Sequence, residues 1–186
     1  MARQLRTLAP NGIYHVTARG IRKEAIFFDA VDWRRYLGIL GDVVRDRGWR
    51  CRAYCLMPNH VHLVVQTPEP NLPDGMRDLS GRYAKRFNLR YGFCGHLFER
   101  RYWCDLVETD GRLLELERYV ALNPVRAGLC LTPTEWRWSS YTAAIDADLA
   151  PRFLDVERSR ELFGGSARLR QFIEGEQTER TGQTRP

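Results

Sequence analysis

The stretch Met57-Pro58-Asn59-His60-Val61-His62-Leu63-Val64-Val65 reads as a tight turn that opens onto a β-strand. Side chains at i and i+2 of a strand share a face, about 6.5–7 Å apart along it. His60 and His62 therefore present two imidazoles to one side, close enough to converge on one divalent cation. The alternation also fits histidines on a solvent face with Val61 turned inward, so the pair alone leaves both readings open. Upstream, Trp49 to Leu56 reads as the partner strand, and Pro58-Asn59 joins the two as an antiparallel hairpin.

Working outward, Ile13-Tyr14-His15-Val16-Thr17-Ala18 alternates after an Asn11-Gly12 turn and reads as a first strand. Asp29 to Arg47 carries Val31, Tyr36, Leu37, Leu40, Val43 and Val44 at helical spacing, and Gly48 ends it. After a polar, Pro-containing break from Thr67 to Asp74, a second helix is expected over about 75–89. Tyr102 to Val107 reads as a fourth strand. A third helix is expected from an Asp110 N-cap to about Leu122, stopping before Asn123-Pro124. This order, β-α-β-β-α-β plus a helix, is the ferredoxin-like split βαβ layout. The fold class is thus α+β: an antiparallel sheet with helices on one face, the other face free for a ligand, and a C-terminal helical or irregular extension. We expect residues 1–145 to form the main domain. Residues 146–186 would form a basic extension, disordered from about 175, where apolar residues cease.

The chain has 186 residues, enough for one core and a tail, and 44% of them are hydrophobic, as in ordinary globular proteins. No apolar run approaches the roughly 18 residues of a membrane span, so no membrane association is expected. Met1-Ala2-Arg3-Gln4-Leu5-Arg6 has charge without an apolar core behind it, which argues against a secretory leader. Five cysteines without a framework spacing suit a reducing compartment, so a cytoplasmic, nucleoid-associated protein is expected. Cys51 and Cys55 would lie about 13 Å apart along a strand, too far to share one tetrahedral ion.

The net charge is +6, the pI is about 9.3, and only Lys23 and Lys85 are lysines. Arginine's planar fork suits phosphate, although genomic base composition explains the bias equally well. Nucleic acid is the commonest acidic partner for such a chain. The second helix carries Arg82, Arg86 and Arg90 four apart, beside Tyr83, Phe87 and Tyr91 at the same interval. The aromatic stripe reads mainly as core, the arginines as a rim that can meet phosphates. Arg100-Arg101-Tyr102-Trp103 continues the basic-aromatic pattern; Lys85 and Arg126 complete the DNA-binding candidates. His15 and His96 pair with no other histidine at ligand spacing and read as structural or surface residues. Tyr119 and Asn123, four apart, share one helical face. Taken alone, they also fit a core tyrosine and a helix-stop residue.

The run Arg118-Tyr119-Val120-Ala121-Leu122-Asn123-Pro124-Val125-Arg126-Ala127-Gly128 changes that balance when set beside Pro58-Asn59-His60-Val61-His62-Leu63-Val64. Together they resemble the HUH-type single-tyrosine transposases, in the branch associated with repetitive extragenic palindromes. Gly95-His96-Leu97-Phe98-Glu99-Arg100-Arg101-Tyr102 and Trp138-Ser139-Ser140-Tyr141 look like that branch's intervening and closing segments, so the resemblance spans about residues 12–141. It implies that His60 and His62 are metal ligands, Asn123 a third, and Tyr119 the nucleophile. Asparagine stands where related single-tyrosine transposases place glutamine. The cation implied is Mg²⁺ or Mn²⁺, the substrate single-stranded DNA folded into an imperfect hairpin, and the intermediate a 5′-phosphotyrosine. The working unit would be a monomer or homodimer. Two other classes compete: a non-catalytic ferredoxin-like DNA-binding regulator, and a rolling-circle replication initiator or relaxase. The latter is disfavoured by the Asn-Pro-Val segment.

Overall fold

The computed structural model describes residues 8–181, the last six of them as backbone only. Its sheet is built from β1 (Ile13–Arg19), β2 (Arg50–Met57), β3 (His60–Gln66) and β4 (Trp103–Val107), in the order β2-β3-β1-β4. Every neighbouring pair is antiparallel. With α1 (Ala30–Arg47) between β1 and β2, and α2 (Leu72–Tyr91) between β3 and β4, this is the split βαβ arrangement.

Alternation along the strands assigns two unlike faces. Tyr14 and Val16 of β1, Tyr54 and Leu56 of β2, and Val61 and Leu63 of β3 point to one side, where they meet Tyr36 and Leu40 of α1 and Met76, Leu79 and Tyr83 of α2. The Asp29 carboxylate caps α1 by accepting from the backbone N–H groups of Val31 and Asp32, and Gly48 ends it at φ 66°, a conformation open to glycine. The opposite face carries His15, Thr17 and Arg19 on β1 and His60, His62 and Val64 on β3, with Thr17 paired to His62 and Arg19 to His60.

That second face is not wholly open, as the sequence reading expected. Helix α3 (Asp110–Arg126) lies across its β2–β3 half and buries Leu113, Leu116 and Val120 against Ala53, Cys55, Met57 and Val64. The cause is its apolar stripe, which packs on these residues and on the partly buried Ile13 of β1 and Val107 of β4. Two helix boundaries also differ. Helix α2 begins at Leu72 rather than about 75, because Pro73 sits in its first turn, where a missing N–H costs nothing. Helix α3 is capped by the Thr109 side chain and runs through Pro124 to Arg126. A proline normally ends a helix by removing an N–H. Here the turn beyond it is held by Ala127 N–H to the Asn123 carbonyl and Leu129 N–H to the Pro124 carbonyl.

Beyond Ser140 the chain continues as α4 (Tyr141–Ile145), α5 (Glu157–Phe163) and α6 (Ser166–Thr181). Leu169 and Ile173 of α6 and Phe163 of α5 pack on Tyr141 and on Ala121 and Leu122 of α3. Helix α6 continues to Thr181, past the point near 175 where disorder was expected; the last five residues of that expectation, and the first seven of the chain, lie outside the described residues. Among the described residues no helix is long and apolar enough to cross a membrane.

Candidate active site

Strand β3 places His60 and His62 on one face, their ring centroids 4.9 Å apart and nearly perpendicular. Tyr119 on α3 brings its ring to 5.5 Å from that of His62, at 89°. It is 40% exposed, so the phenol stands at the edge of open space and is not sealed in the core. Asn123, one turn further along α3, lies close enough to the His60 ring to raise its pKa. The sheet and one helix thus bring together all four residues that the sequence singled out for chemistry.

The second nitrogens of the two histidines are also accounted for. His60 Nδ1 lies 2.7 Å from the Asn59 side-chain oxygen, which selects the tautomer protonated at Nδ1 and leaves Nε2 with its lone pair. His62 Nδ1 faces His15 Nε2 at 3.0 Å and the Thr17 hydroxyl at 3.3 Å. His62 Nε2 is buried and without a hydrogen-bond partner. An unpartnered buried nitrogen is costly unless something outside the polypeptide binds it. Burial, and next the Arg19 charge, holds the His60 imidazole down to about 4, against the opposing effect of the Asn123 side chain. Burial, reinforced by His60, His15 and Arg19, holds His62 down to about 3. Both rings are neutral at pH 7, as coordination of a cation requires. Two imidazole nitrogens and the Asn123 amide are the donor set this chain offers.

His15 was read from sequence as structural or surface, and the structure corrects this. Its ring stacks on His62 at 5.2 Å and 19°, and stands edge-on to Tyr119 at 6.0 Å. Burial holds its pKa down to about 4, with Asp105 opposing and Arg112 assisting. The signal lay in the alternation His15-x-Thr17-x-Arg19, which sets three polar groups on the face of β1 that pairs with the histidine strand.

These residues line a cleft of about 710 Å³. Its walls carry Arg19, Arg100, Arg101, Arg112, Arg118 and Arg126 against Glu99 and Glu115, together with Trp103. Arg126 also stands 5.6 Å from the Tyr119 ring centre. So dense a set of guanidinium groups in a concave site concentrates anions. Of the proposed DNA contacts, Arg100, Arg101 and Arg126 belong to this cleft. Arg82, Lys85, Arg86 and Arg90 do not: they sit on α2, across the sheet. Arg82 pairs with Asp42 at 2.5 Å, and Arg90 spans Asp29 and the buried Asp32 at 2.5 and 2.7 Å.

A split βαβ sheet with paired histidines facing a helix-borne tyrosine is the architecture that the resemblance to single-tyrosine transposases implied. The chain belongs to that lineage: residues 9–123 match the family described as "Transposase IS200 like". The REP-associated tyrosine transposase of Escherichia coli K12 is 24% identical over 111 residues, covering 59% of this chain and 64% of that protein. The ISDra2 transposase TnpA of Deinococcus radiodurans is 28% identical over 89 residues, covering 44% and 63% respectively. The chain therefore spans a little under two thirds of the length of these curated relatives, all named as transposases, an enzyme class. In fold it is similar to a REP-associated tyrosine transposase solved bound to a REP hairpin, with a TM-score of 0.68 at 20% identity, over 84% of this chain and 93% of that one.

Proposed function

We propose that this protein nicks and rejoins single-stranded DNA through a covalent bond to Tyr119, assisted by Mg²⁺ or Mn²⁺ held by His60, His62 and Asn123, on DNA folded into a hairpin. The observation that carries the reading is the approach of the exposed Tyr119 ring to the His60–His62 pair inside an arginine-lined cleft.

The phosphodiester is anionic and repels an anionic nucleophile, so its charge must be offset before attack. A bound divalent cation would withdraw charge from the phosphate oxygens. The arginines of the cleft hold the flanking phosphates by charge-assisted hydrogen bonds. The Tyr119 oxygen attacks phosphorus, the bond to the 3′ oxygen breaks, and that oxygen leaves as a hydroxyl. The phenolic proton passes to water, which reaches the half-exposed ring, and water supplies the proton that the departing 3′ oxygen takes up. The product is a 5′-phosphotyrosine that conserves the phosphodiester bond energy, so a second 3′-hydroxyl can reverse the step and join a new strand without ATP. His15 and Thr17 hold the His62 ring, and Asn59 holds that of His60, so that both Nε2 atoms keep their lone pairs available.

The test is incubation with labelled hairpin DNA carrying single-stranded flanks, with Mg²⁺ or Mn²⁺. A protein–DNA band that survives boiling in detergent is expected for the natural sequence. It should vanish in Tyr119→Phe and in the His60→Ala/His62→Ala double variant, with hairpin affinity retained. Binding without any such band in the natural protein would favour the non-catalytic regulator. Adduct formation by Tyr119→Phe would move the nucleophile elsewhere.

A further inference from the structure

Trp103 opens β4, one of the two edge strands of the sheet, and pairs with Thr17 of β1. Its side chain leans onto the catalytic face, meeting the His15 ring edge-on at 5.4 Å, and it lines the same cleft as Tyr119. Yet it is 53% exposed. An indole of that size, half in water inside a concave site, is an unusual use of the largest apolar side chain. The strand's other large apolar residue, Leu106, is partly buried against the main core.

The surroundings decide what fits against it. Arg100 and Arg101 precede it in the chain, and Arg112 of α3 shares its cleft. A peptide with an apolar anchor would have to bring its own acidic groups to suit so many guanidiniums. A nucleic-acid strand carries a phosphate for each flat base, and unpaired bases stack on aromatic rings with little regard to sequence. A duplex hides its base faces, so the occupant is single-stranded. We propose that Trp103 is a stacking platform for one unpaired nucleobase of the strand running through the cleft, close to the phosphate that Tyr119 attacks. The inference rests on the reading of the protein as acting on single-stranded DNA, and adds the subsite that tells an unpaired strand from a duplex. No covalent step is involved, and stacking requires no cation.

The probe is a fluorescein-labelled dT10 strand, compared with the same backbone in which all bases are replaced by abasic tetrahydrofuran units. Affinities are read by anisotropy at fixed low salt, without divalent cation. The natural protein should bind dT10 more tightly than the abasic strand. Trp103→Ala should lose about fivefold to a hundredfold in dT10 affinity, the range for one stacked base, and bind the abasic strand as before. Trp103→Tyr should recover most of the loss, because any flat ring offers a stacking face. Circular dichroism confirms folding, which an exposed position favours. Equal dT10 affinity in the natural protein and Trp103→Ala overturns the proposal, as does an equal loss on both strands. The outcome is separable from the nicking test: loss of the covalent band in Tyr119→Phe leaves this comparison intact, and an intact band with no base preference would remove the platform alone.

Discussion

The chemistry of His62 depends on where one proton sits. If Nδ1 carries it, Nε2 offers a lone pair to the cleft; if Nε2 carries it, that nitrogen becomes a buried donor with nothing to receive it. His62 Nδ1 faces His15 Nε2 at 3.0 Å and the Thr17 hydroxyl at 3.3 Å; when these two groups accept from it, the proton stays on Nδ1 and Nε2 keeps its lone pair. Partners in this position typically change metal affinity by 10- to 100-fold when removed. His15→Ala should therefore weaken Mn²⁺ binding by about that factor in titration calorimetry, while thermal melting shows a folded protein. Unchanged Mn²⁺ affinity would make His15 a packing residue only. Two of the three histidines in this arrangement were legible in the sequence, because strand alternation puts i and i+2 on one face whatever the strand's partner. His15 was not. Its place beside His62 comes from the register between β1 and β3, 47 residues apart, and a single strand's pattern does not state which other strand it will pair with or in what register.

Among the elements, α3 carries the heaviest duty. It bears Tyr119 and Asn123 on one face and apolar residues toward the sheet and toward α6, so the placement of the nucleophile depends on what grips its outer side. One grip is Glu117, buried beneath α5, where the Ser159 hydroxyl donates to its carboxylate at 2.6 Å. Burial pushes the Glu117 carboxyl up to about 7, against the opposing pull of Ser159 and Arg52. A carboxyl raised in the folded state contributes stability that is fully present below its unfolded value near 4.5 and is lost as pH rises through about 7. The buried histidines act in the opposite sense, since folding favours their neutral forms. Their contribution is complete above 6.5 and falls as pH drops toward 4 for His60 and 3 for His62. Glu117→Gln keeps an acceptor for Ser159 but has no proton to lose. Between pH 5 and 7.5 its melting temperature should gain on that of the natural protein as pH rises. Parallel curves would show that Glu117 ionises in the folded state as readily as in water. The sequence showed the Tyr119–Asn123 face through its four-residue spacing, yet a stop was expected at Asn123-Pro124. Proline's local effect was read correctly, but the bonds holding the next turn come from Ala127 and Leu129 beyond it. The extension was likewise read from its charge. Arg158 instead pairs with Asp110 at the start of α3, and Arg160 donates to the last carbonyls of α4.

At the scale of the whole molecule, positive charge is divided between two sides of the sheet. One set lines the cleft beside Tyr119; the other lies along α1 and α2, where Arg34, Arg35, Arg82 and Arg86 border a shallow groove with Asp42. The sequence displayed Arg82, Arg86 and Arg90 as a stripe and Arg100-Arg101 as a run without showing that a sheet would separate them. The separation makes a quantitative distinction. A strand short enough to occupy only the cleft touches the first set alone, and each phosphate contact that it makes contributes about −0.7 to the slope of log K against log salt for single-stranded DNA. Removing Arg100 and Arg101 together should make that slope shallower by about 1.4 for a dT10 strand if each holds one phosphate. Arg82→Ala/Arg86→Ala should leave the slope for this short strand unchanged, yet reduce it for a long hairpin that wraps to the α1–α2 side. Arg90 does not belong in this comparison, because its guanidinium neutralises the buried Asp32. Arg90→Ala would leave the Asp32 carboxylate with only the Phe28 N–H and the Tyr91 hydroxyl as partners, and so would report on folding. The measurement is anisotropy at four or five salt concentrations for each variant. A slope for dT10 that falls equally in the two double variants would mean that the strand contacts both sides of the sheet, and would move the DNA path out of the cleft.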